Sequence, residues 1–173
     1  MKFLDSNSLC LECGLCCNGV IFADVQLRPQ DDPARLRALG LAFAQKSKSG
    51  VEKFKQPCTA FTGCKCNVYS DRPTYCREFE CLLLKGVKAG QTKPAEAIRT
   101  IRSALQRVKK VKGLLEQLGD KDETMALNKR FRRMQRKLES GPLDKEAAQK
   151  FGELTLAVHD LNILLSERFY PAS

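Results

Sequence analysis

The sequence predicts a mainly α-helical protein in two parts, a small cysteine-rich module over residues 1–90 and a three-helix bundle over residues 94–168. Three observations predict this division. All nine cysteines lie before Leu82, apolar residues recur with helical spacing beyond Pro94, and a glycine-bearing turn at 86–90 separates the two patterns. The 173 residues suit one domain, or one domain with a small appendage.

Three helices are predicted in the second part. The first begins at Pro94 and ends at Gly119-Asp120, the second has Asp122 as its predicted cap and ends at 140–142, and the third covers about 143–168. Their apolar residues are three and four positions apart, which is the period of one helix face. The last helix has a broad apolar surface, which predicts burial by more than one neighbour or by a second subunit in a homo-oligomer.

Shorter elements are predicted in the first part. Residues 20–27 are rich in β-branched and apolar side chains, which favours a short strand or an extended run. Asp31 and Asp32 precede Pro33, and carboxylates accept the free N–H groups of a first helical turn. Apolar residues then continue at helical spacing, so we expect a helix over residues 33–46.

The cysteines stand at spacings typical of metal ligands. Thiols two residues apart can bind one ion while the backbone curls around it, and Gly14 supplies the positive φ that such a curl needs. The chain opens without a hydrophobic run long enough for a secretory signal, so we expect a cytoplasmic protein. In a reducing compartment clustered cysteines are metal ligands rather than disulfides, and an odd number of cysteines agrees with this. The candidate ligands are Cys10, Cys13, Cys16, Cys17, Cys58, Cys64, Cys66, Cys76 and Cys81.

A resemblance to a known family is carried by two segments. The first is Cys10-x2-Cys13-x2-Cys16-Cys17, and the second contains Pro57-Cys58 with Phe61, Cys64-x-Cys66, Tyr69, Arg72-Pro73, Cys76-Arg77 and Phe79. Together they resemble the YkgJ-type cysteine-cluster proteins, described as a zinc- or iron-chelating domain. The resemblance covers residues 10–81 and implies metal chelation, often with an iron–sulfur or oxidoreductase label, without implying a substrate. Cys81 belongs least securely to the shared pattern.

The residues leave the metal open. Zinc favours four thiolates in a tetrahedron, and eight of nine cysteines would fill two such sites. Iron–sulfur chemistry is one alternative, because Cys10, Cys13 and Cys16 have the spacing of the first three ligands in a bacterial ferredoxin run. A third arrangement would use all nine thiolates on several zinc ions, with some sulfurs bridging. We expect Cys13 with Cys16, and Cys64 with Cys66, to share an ion.

The ligands from the second segment are presented in different ways. Pro73 predicts a helix start, which places Cys76 on the inward face of that helix. Arg72 and Arg77 flank it, and cations near thiolates favour the charged form that binds metal. His159 is the only histidine, and it lies beside an apolar face far from the cysteines, so we do not expect it to bind metal.

The positive charge of the chain is concentrated in its middle. The formal net charge is +10, and residues 85–137 carry 16 Lys and Arg against 5 Asp and Glu. One of these helices carries a basic stripe, in which Arg130 and five other cations between Lys129 and Lys137 would spread over the outer surface. Phosphate or nucleic-acid binding by the basic helices at 99–137 is therefore an alternative function. The chain has no Walker loop, GxGxxG or HExxH motif, so we expect a metal-binding protein and, if an enzyme, an iron–sulfur-dependent oxidoreductase. No run of apolar residues is long enough to span a bilayer.

Overall fold

A computed structural model describes residues 6–44, 50–63, 65–141 and 144–171, with side chains from Leu9 onward. This part of the chain confirms the predicted mainly α class, with seven α-helices and two small sheets. The helices are α1 Ser6–Cys13, α2 Pro33–Ala38, α3 Thr74–Glu78, α4 Leu82–Lys88, α5 Pro94–Gln117, α6 Leu127–Glu139 and α7 Lys145–Arg168. The strands are β1 Asp24–Gln26, β2 Lys53–Lys55, β3 Phe61–Thr62 and β4 Lys65–Cys66.

The three long helices confirm the helical periodicity of the second half. α5 begins at Pro94, and α7 begins after Asp144, whose carboxylate accepts from Ala147 N–H at 2.8 Å. The cap expected at Asp122 is wrong, because α6 begins at Leu127 after Ala126, without a side-chain cap. Asp122 instead accepts from the N–H and the hydroxyl of Thr124 and forms an ion pair with Arg133.

One hydrophobic core joins the N-terminal segment to the long helices. Leu9 of α1, Leu15 and Ile21 are buried in the same cluster as the inward faces of α5, α6 and α7. Leu83 and Leu84 of α4 belong to it as well. Residues from both predicted parts therefore bury their apolar surface against each other, while the division at 90 and 94 stays a prediction.

Two backbone hydrogen bonds connect these segments directly. The N–H of Leu82 donates to the carbonyl of Phe169 at 3.2 Å, and the N–H of Leu127 donates to the carbonyl of Gly19 at 2.9 Å. Phe169 itself is fully buried. Phe169, which directly follows α7, is thus packed beside the start of α4.

A second, smaller core surrounds an antiparallel pair of strands. β1 pairs with β2 so that Val25 lies opposite Phe54, and both side chains are buried. The remaining buried residues of this core are Leu27, Leu36, Leu41, Ala60 and Val68. The strand predicted over 20–27 is thus confirmed only at Asp24–Gln26.

The helix predicted over 33–46 is wrong in its extent. Asp32 caps it as expected, accepting from the N–H groups of Ala34 and Arg35 at 2.9 and 3.0 Å. The helix ends at Ala38, because Gly40 adopts a φ of +87° that a helix cannot continue through. Phe43 then pairs with β2 as an isolated bridge. Residues 45–49 lie outside the described part.

The basic stripe predicted on α6 is only partly a surface feature. Arg130 is 1% exposed, and its guanidinium donates to the carboxylate of Asp120 at 3.1 Å and to the Asp120 carbonyl at 2.9 Å. Arg133 pairs with Asp120 and Asp122, and Lys129 lies 3.7 Å from the carboxylate of Asp24. The placement of Arg130 on the outer surface was wrong, because the loop before α6 supplies a buried carboxylate. No described helix is long and apolar enough to cross a membrane.

Candidate metal centre

A tight backbone curl follows α1 and sets the directions of the first four cysteines. Gly14 has a φ of +64°, as the spacing predicted. Its N–H donates to the carbonyl of Cys10 at 3.2 Å, and the N–H groups of Cys17 and Asn18 both donate to its carbonyl at 2.9 Å. This turn separates Cys10 and Cys13 on the helix from Cys16 and Cys17 after it.

The second cysteine segment is tied to the first through the backbone. The N–H of Cys58 donates to the carbonyl of Cys17 at 2.8 Å. β3 and β4 form a short hairpin in which Phe61 lies opposite Cys66. Cys76 lies on α3, which confirms that this thiol is presented from a helix. Cys81 is the residue before α4.

The first thiol group consists of Cys10, Cys13, Cys16 and Cys81. Burial raises the pKa of the Cys13 thiol to about 12 and the pKa of the Cys16 thiol well above its ordinary value. The nearby thiols of Cys81, Cys10 and Cys17 raise the pKa of Cys13 further, and those of Cys13, Cys17, Cys81 and Cys10 raise the pKa of Cys16 further. Burial and then Cys81 also raise the pKa of Cys10. Cys81, the least secure residue of the sequence pattern, thus lies with the first three cysteines.

The second thiol group consists of Cys17, Cys58, Cys66 and Cys76. Burial raises the pKa of Cys17 and of Cys76 to about 12, and in both cases the thiols of Cys58 and Cys66 add to the rise. Cys76 is also affected by Cys17, and Cys58 by Cys66. Cys17 also raises the pKa of Cys13 and Cys16, so the two groups adjoin at these neighbouring residues.

The two groups are neighbours around one cavity of about 140 Å³, and all eight described cysteines line it. No disulfide joins these eight residues. Among the described residues, no three Cys, His, Asp or Glu side chains stand in an arrangement that could itself hold a metal ion. Eight soft sulfur donors around one cavity are nevertheless the donor set that zinc and iron–sulfur clusters take in proteins.

Arg72 lies between the two groups. Burial is the largest influence on the pKa of Cys10, Cys17 and Cys76 and raises it, whereas the positive charge of Arg72 lowers it at all three. The guanidinium carbon stands 3.6 Å from the centre of the Tyr69 ring, and Nε donates to the Tyr69 carbonyl at 3.1 Å. Arg72 is thus held where it favours the charged form of both thiol groups.

The sequence predicted that Arg77, like Arg72, favours the charged form of the thiols, but Arg77 instead hydrogen-bonds within α3. Its guanidinium donates to the Thr74 hydroxyl at 3.2 Å. Asp31 accepts from the Thr74 N–H and hydroxyl, both at 2.8 Å, and from the N–H of Arg28 at 2.8 Å. Asp31 thereby anchors the first turn of α3, which carries Cys76. Sequence reasoning missed this role, since Asp31 and Asp32 both fitted a helix cap.

Aromatic side chains line the same cavity as the thiols. Phe22 packs edge-on against Tyr75 and Phe79, with ring centres 5.6 and 4.8 Å apart. These rings and Phe61 line the cavity. Apolar cover of this kind limits the access of water to metal-bound sulfur.

His159, which was not expected to bind metal, lies apart from the centre, and the predicted ligand Cys64 lies outside the described part. His159 is exposed on α7, and it does not line the cavity. Cys64 lies outside the described residues, so its pairing with Cys66 stays a prediction.

A mainly helical fold with eight thiols around one cavity defines a cysteine-cluster protein of the metal-binding class. The chain belongs to the CxxCxxCC family, described as "Putative zinc- or iron-chelating domain", which matches residues 9–109. The match continues into α5, beyond the cysteines that carried the resemblance. No curated protein and no solved structure matches the chain.

Proposed function

We propose that this protein holds two metal ions, one in each group of four cysteine thiolates. The observation that supports the proposal best is that the eight described cysteines, enough for two sites of four, line one cavity. Cys81 influences the pKa of Cys10, Cys13 and Cys16, whereas Cys58 and Cys66 influence the pKa of Cys17 and Cys76, and we assign the two sites accordingly. Four thiolates complete the coordination of a tetrahedral ion. Such closed sites stabilise a fold or store metal and leave no position for a substrate.

Zinc is the metal we propose, because closed tetrahedral sites of four thiolates are typical of structural zinc. Each group also joins distant segments, since Cys81 lies far along the chain from Cys10 and Cys76 from Cys17. A metal that closes such loops offsets their ordering entropy and stabilises the folded chain.

An iron–sulfur cluster in the first group is the second candidate. The specific observation in its favour is that Cys10, Cys13 and Cys16 have a single distant partner, Cys81, and that three closely spaced ligands with a distant fourth also hold iron–sulfur clusters. A redox function would follow from that cluster. Anaerobic purification with iron, sulfide and zinc analysis distinguishes the two metals.

The division into groups is tested by metal content per chain in the nine single Cys→Ser variants. We expect two ions in the unmodified chain, and each of the eight variants in the two groups to lose about one. Cys81→Ser should lose as much metal as Cys10→Ser. Equal loss of both ions in every variant would indicate one shared cluster and contradict two separate sites.

Cys64→Ser completes this series. Eight thiols already fill two groups of four, so retention of two ions in this variant supports the proposed division. Loss of an ion would add Cys64 to the ligands, as the sequence predicted, and would require one of the eight to be replaced.

A further inference from the structure

We propose that the outward face of α5 binds the phosphate backbone of double-stranded nucleic acid. This face carries Arg99, Arg102, Lys109 and Lys110, all of which are exposed. The opposite face of the helix is buried in the main core, through residues such as Ile101. The cations therefore point away from the molecule along one side of a rigid helix.

These four cations differ from their neighbours because they have no acidic partner within the described residues. Arg107 pairs with Asp160 at 3.0 Å, and Lys112 pairs with Glu123 at 3.3 Å. Arg99, Arg102, Lys109 and Lys110 form no ion pair in the described part of the chain. The two acidic residues of α5 lie near its ends. In the middle of the outward face, no acidic side chain of α5 therefore neutralises these positive charges.

The dimensions of the face suit a duplex. Residues 99 to 110 extend over roughly 16 Å at the rise of an α-helix. Duplex DNA carries one negative charge for about every 1.7 Å along its axis, so several phosphates lie within that length. Four contacts between cations and phosphates are compatible with this geometry.

The remaining composition of the face distinguishes a duplex from other anionic partners. None of the large exposed hydrophobic side chains belongs to α5, so the face has nothing to insert into a bilayer. The helix also contains no aromatic residue on which unpaired bases could stack. Contact through phosphates alone, without stacking or insertion, is the mode in which proteins bind a duplex backbone.

The test is the binding of a short mixed-sequence DNA duplex to the full-length metal-loaded protein, measured by fluorescence anisotropy at several salt concentrations. Four phosphate contacts predict a slope of about −3.6 for log K against log salt, which is a loss of about 150-fold between 50 and 200 mM. The variant Arg102→Gln/Lys109→Gln should reduce the slope to about −1.8 and the loss to about 12-fold.

The matched control is Arg107→Gln/Lys112→Gln, which removes the same charges from the same helix but from paired positions. We expect its slope to stay near −3.6. Circular dichroism and metal content of both double variants verify the fold. Equal reductions in the two variants would mean that only net charge matters and would overturn the proposal. Absence of duplex binding would overturn it too, as would binding of phosphatidylserine vesicles in place of the duplex.

Discussion

Gly14 allows the tight backbone turn that sets the geometry of the proposed metal site. A Cβ at this position would lie 2.4 Å from Cζ of Phe61, and the φ of +64° is one that other residues adopt at a cost. We expect Gly14→Ala to destabilise the protein by about 3 kcal/mol, because conformational strain and steric overlap add together. Thermal unfolding and metal content measure the effect.

Gly63 provides the matched control for this substitution. It has the same φ of +64°, yet a Cβ there would meet no atom of the described residues within 4 Å, its chain neighbours aside. Gly63→Ala should therefore cost only the conformational part, about 1 kcal/mol. Equal losses in the two alanine variants would show that the contact with Phe61 does not restrict position 14.

Asp120 is a buried carboxylate whose ionisation contributes to stability. Its side chain is 2% exposed. Burial alone would raise its pKa, but the hydrogen bond from Arg133, the N–H of Asp122 and the charge of Arg130 outweigh burial, and the pKa is lowered. The charged form is thus favoured in the folded state, so its stabilisation is present above the unfolded pKa and disappears as pH falls through the folded pKa.

Replacing this carboxylate should therefore destabilise the protein most at neutral pH. Asp120→Asn should lower the free energy of unfolding by about 3 kcal/mol at neutral pH, since it leaves the charge of Arg130 buried without its partner. The difference from the unmodified protein should shrink below about pH 4, where the unfolded carboxyl is protonated. Denaturant titrations at several pH values measure it, and loss of metal in acid affects both proteins alike. A difference that stays constant down to low pH would contradict the role of the carboxylate.

At the scale of single elements, the adjacent residues Asp31 and Asp32 stabilise two different helices. Asp32 caps α2 alone, so Asp32→Ala should cost about 1 kcal/mol and leave the metal content unchanged. Asp31 connects the preceding loop to α3 through Thr74. Asp31→Ala should therefore displace Cys76 and reduce the metal bound by the second thiol group. Metal content per chain in both variants is the measurement, and equal retention of metal would show that α3 holds its position without Asp31.

At the scale of the whole molecule, metal binding and the helical core should be coupled. Structural zinc contributes roughly 10–16 kcal/mol per site, which is as large as the stability of a typical domain. Leu15 lies beside the first thiol group in sequence and is fully buried in the core that α5 and α7 share. We expect a zinc chelator to lower the melting temperature of the helices together with that of the cysteine module, in one transition.

Far-ultraviolet circular dichroism during heating, with and without the chelator, measures this coupling. A calcium-selective chelator is the control, and added zinc should restore the transition. Two separate transitions, with the helical signal unaffected by zinc removal, would instead support the division of the chain at 90 and 94 into independent parts.

The sequence by itself determined the mainly helical class, the extents of α5 and α7, the curl at Gly14 and the family. These features depend on local periodicity, on a glycine conformation and on the spacing of cysteines, all of which are properties of neighbouring residues. The early end of α2 was missed, because pairing of Phe43 with β2 depends on a segment ten residues away.

Only the tertiary structure decided the grouping of thiols, the burial of Arg130 and the task of Asp31. Cys81 lies with Cys10 because α1 and α4 pack in one core, and Cys58 meets Cys17 through a backbone hydrogen bond. Spacing in a sequence limits which ligands can share an ion within one turn of chain. It does not determine which distant segments meet, because that depends on the packing of the whole core.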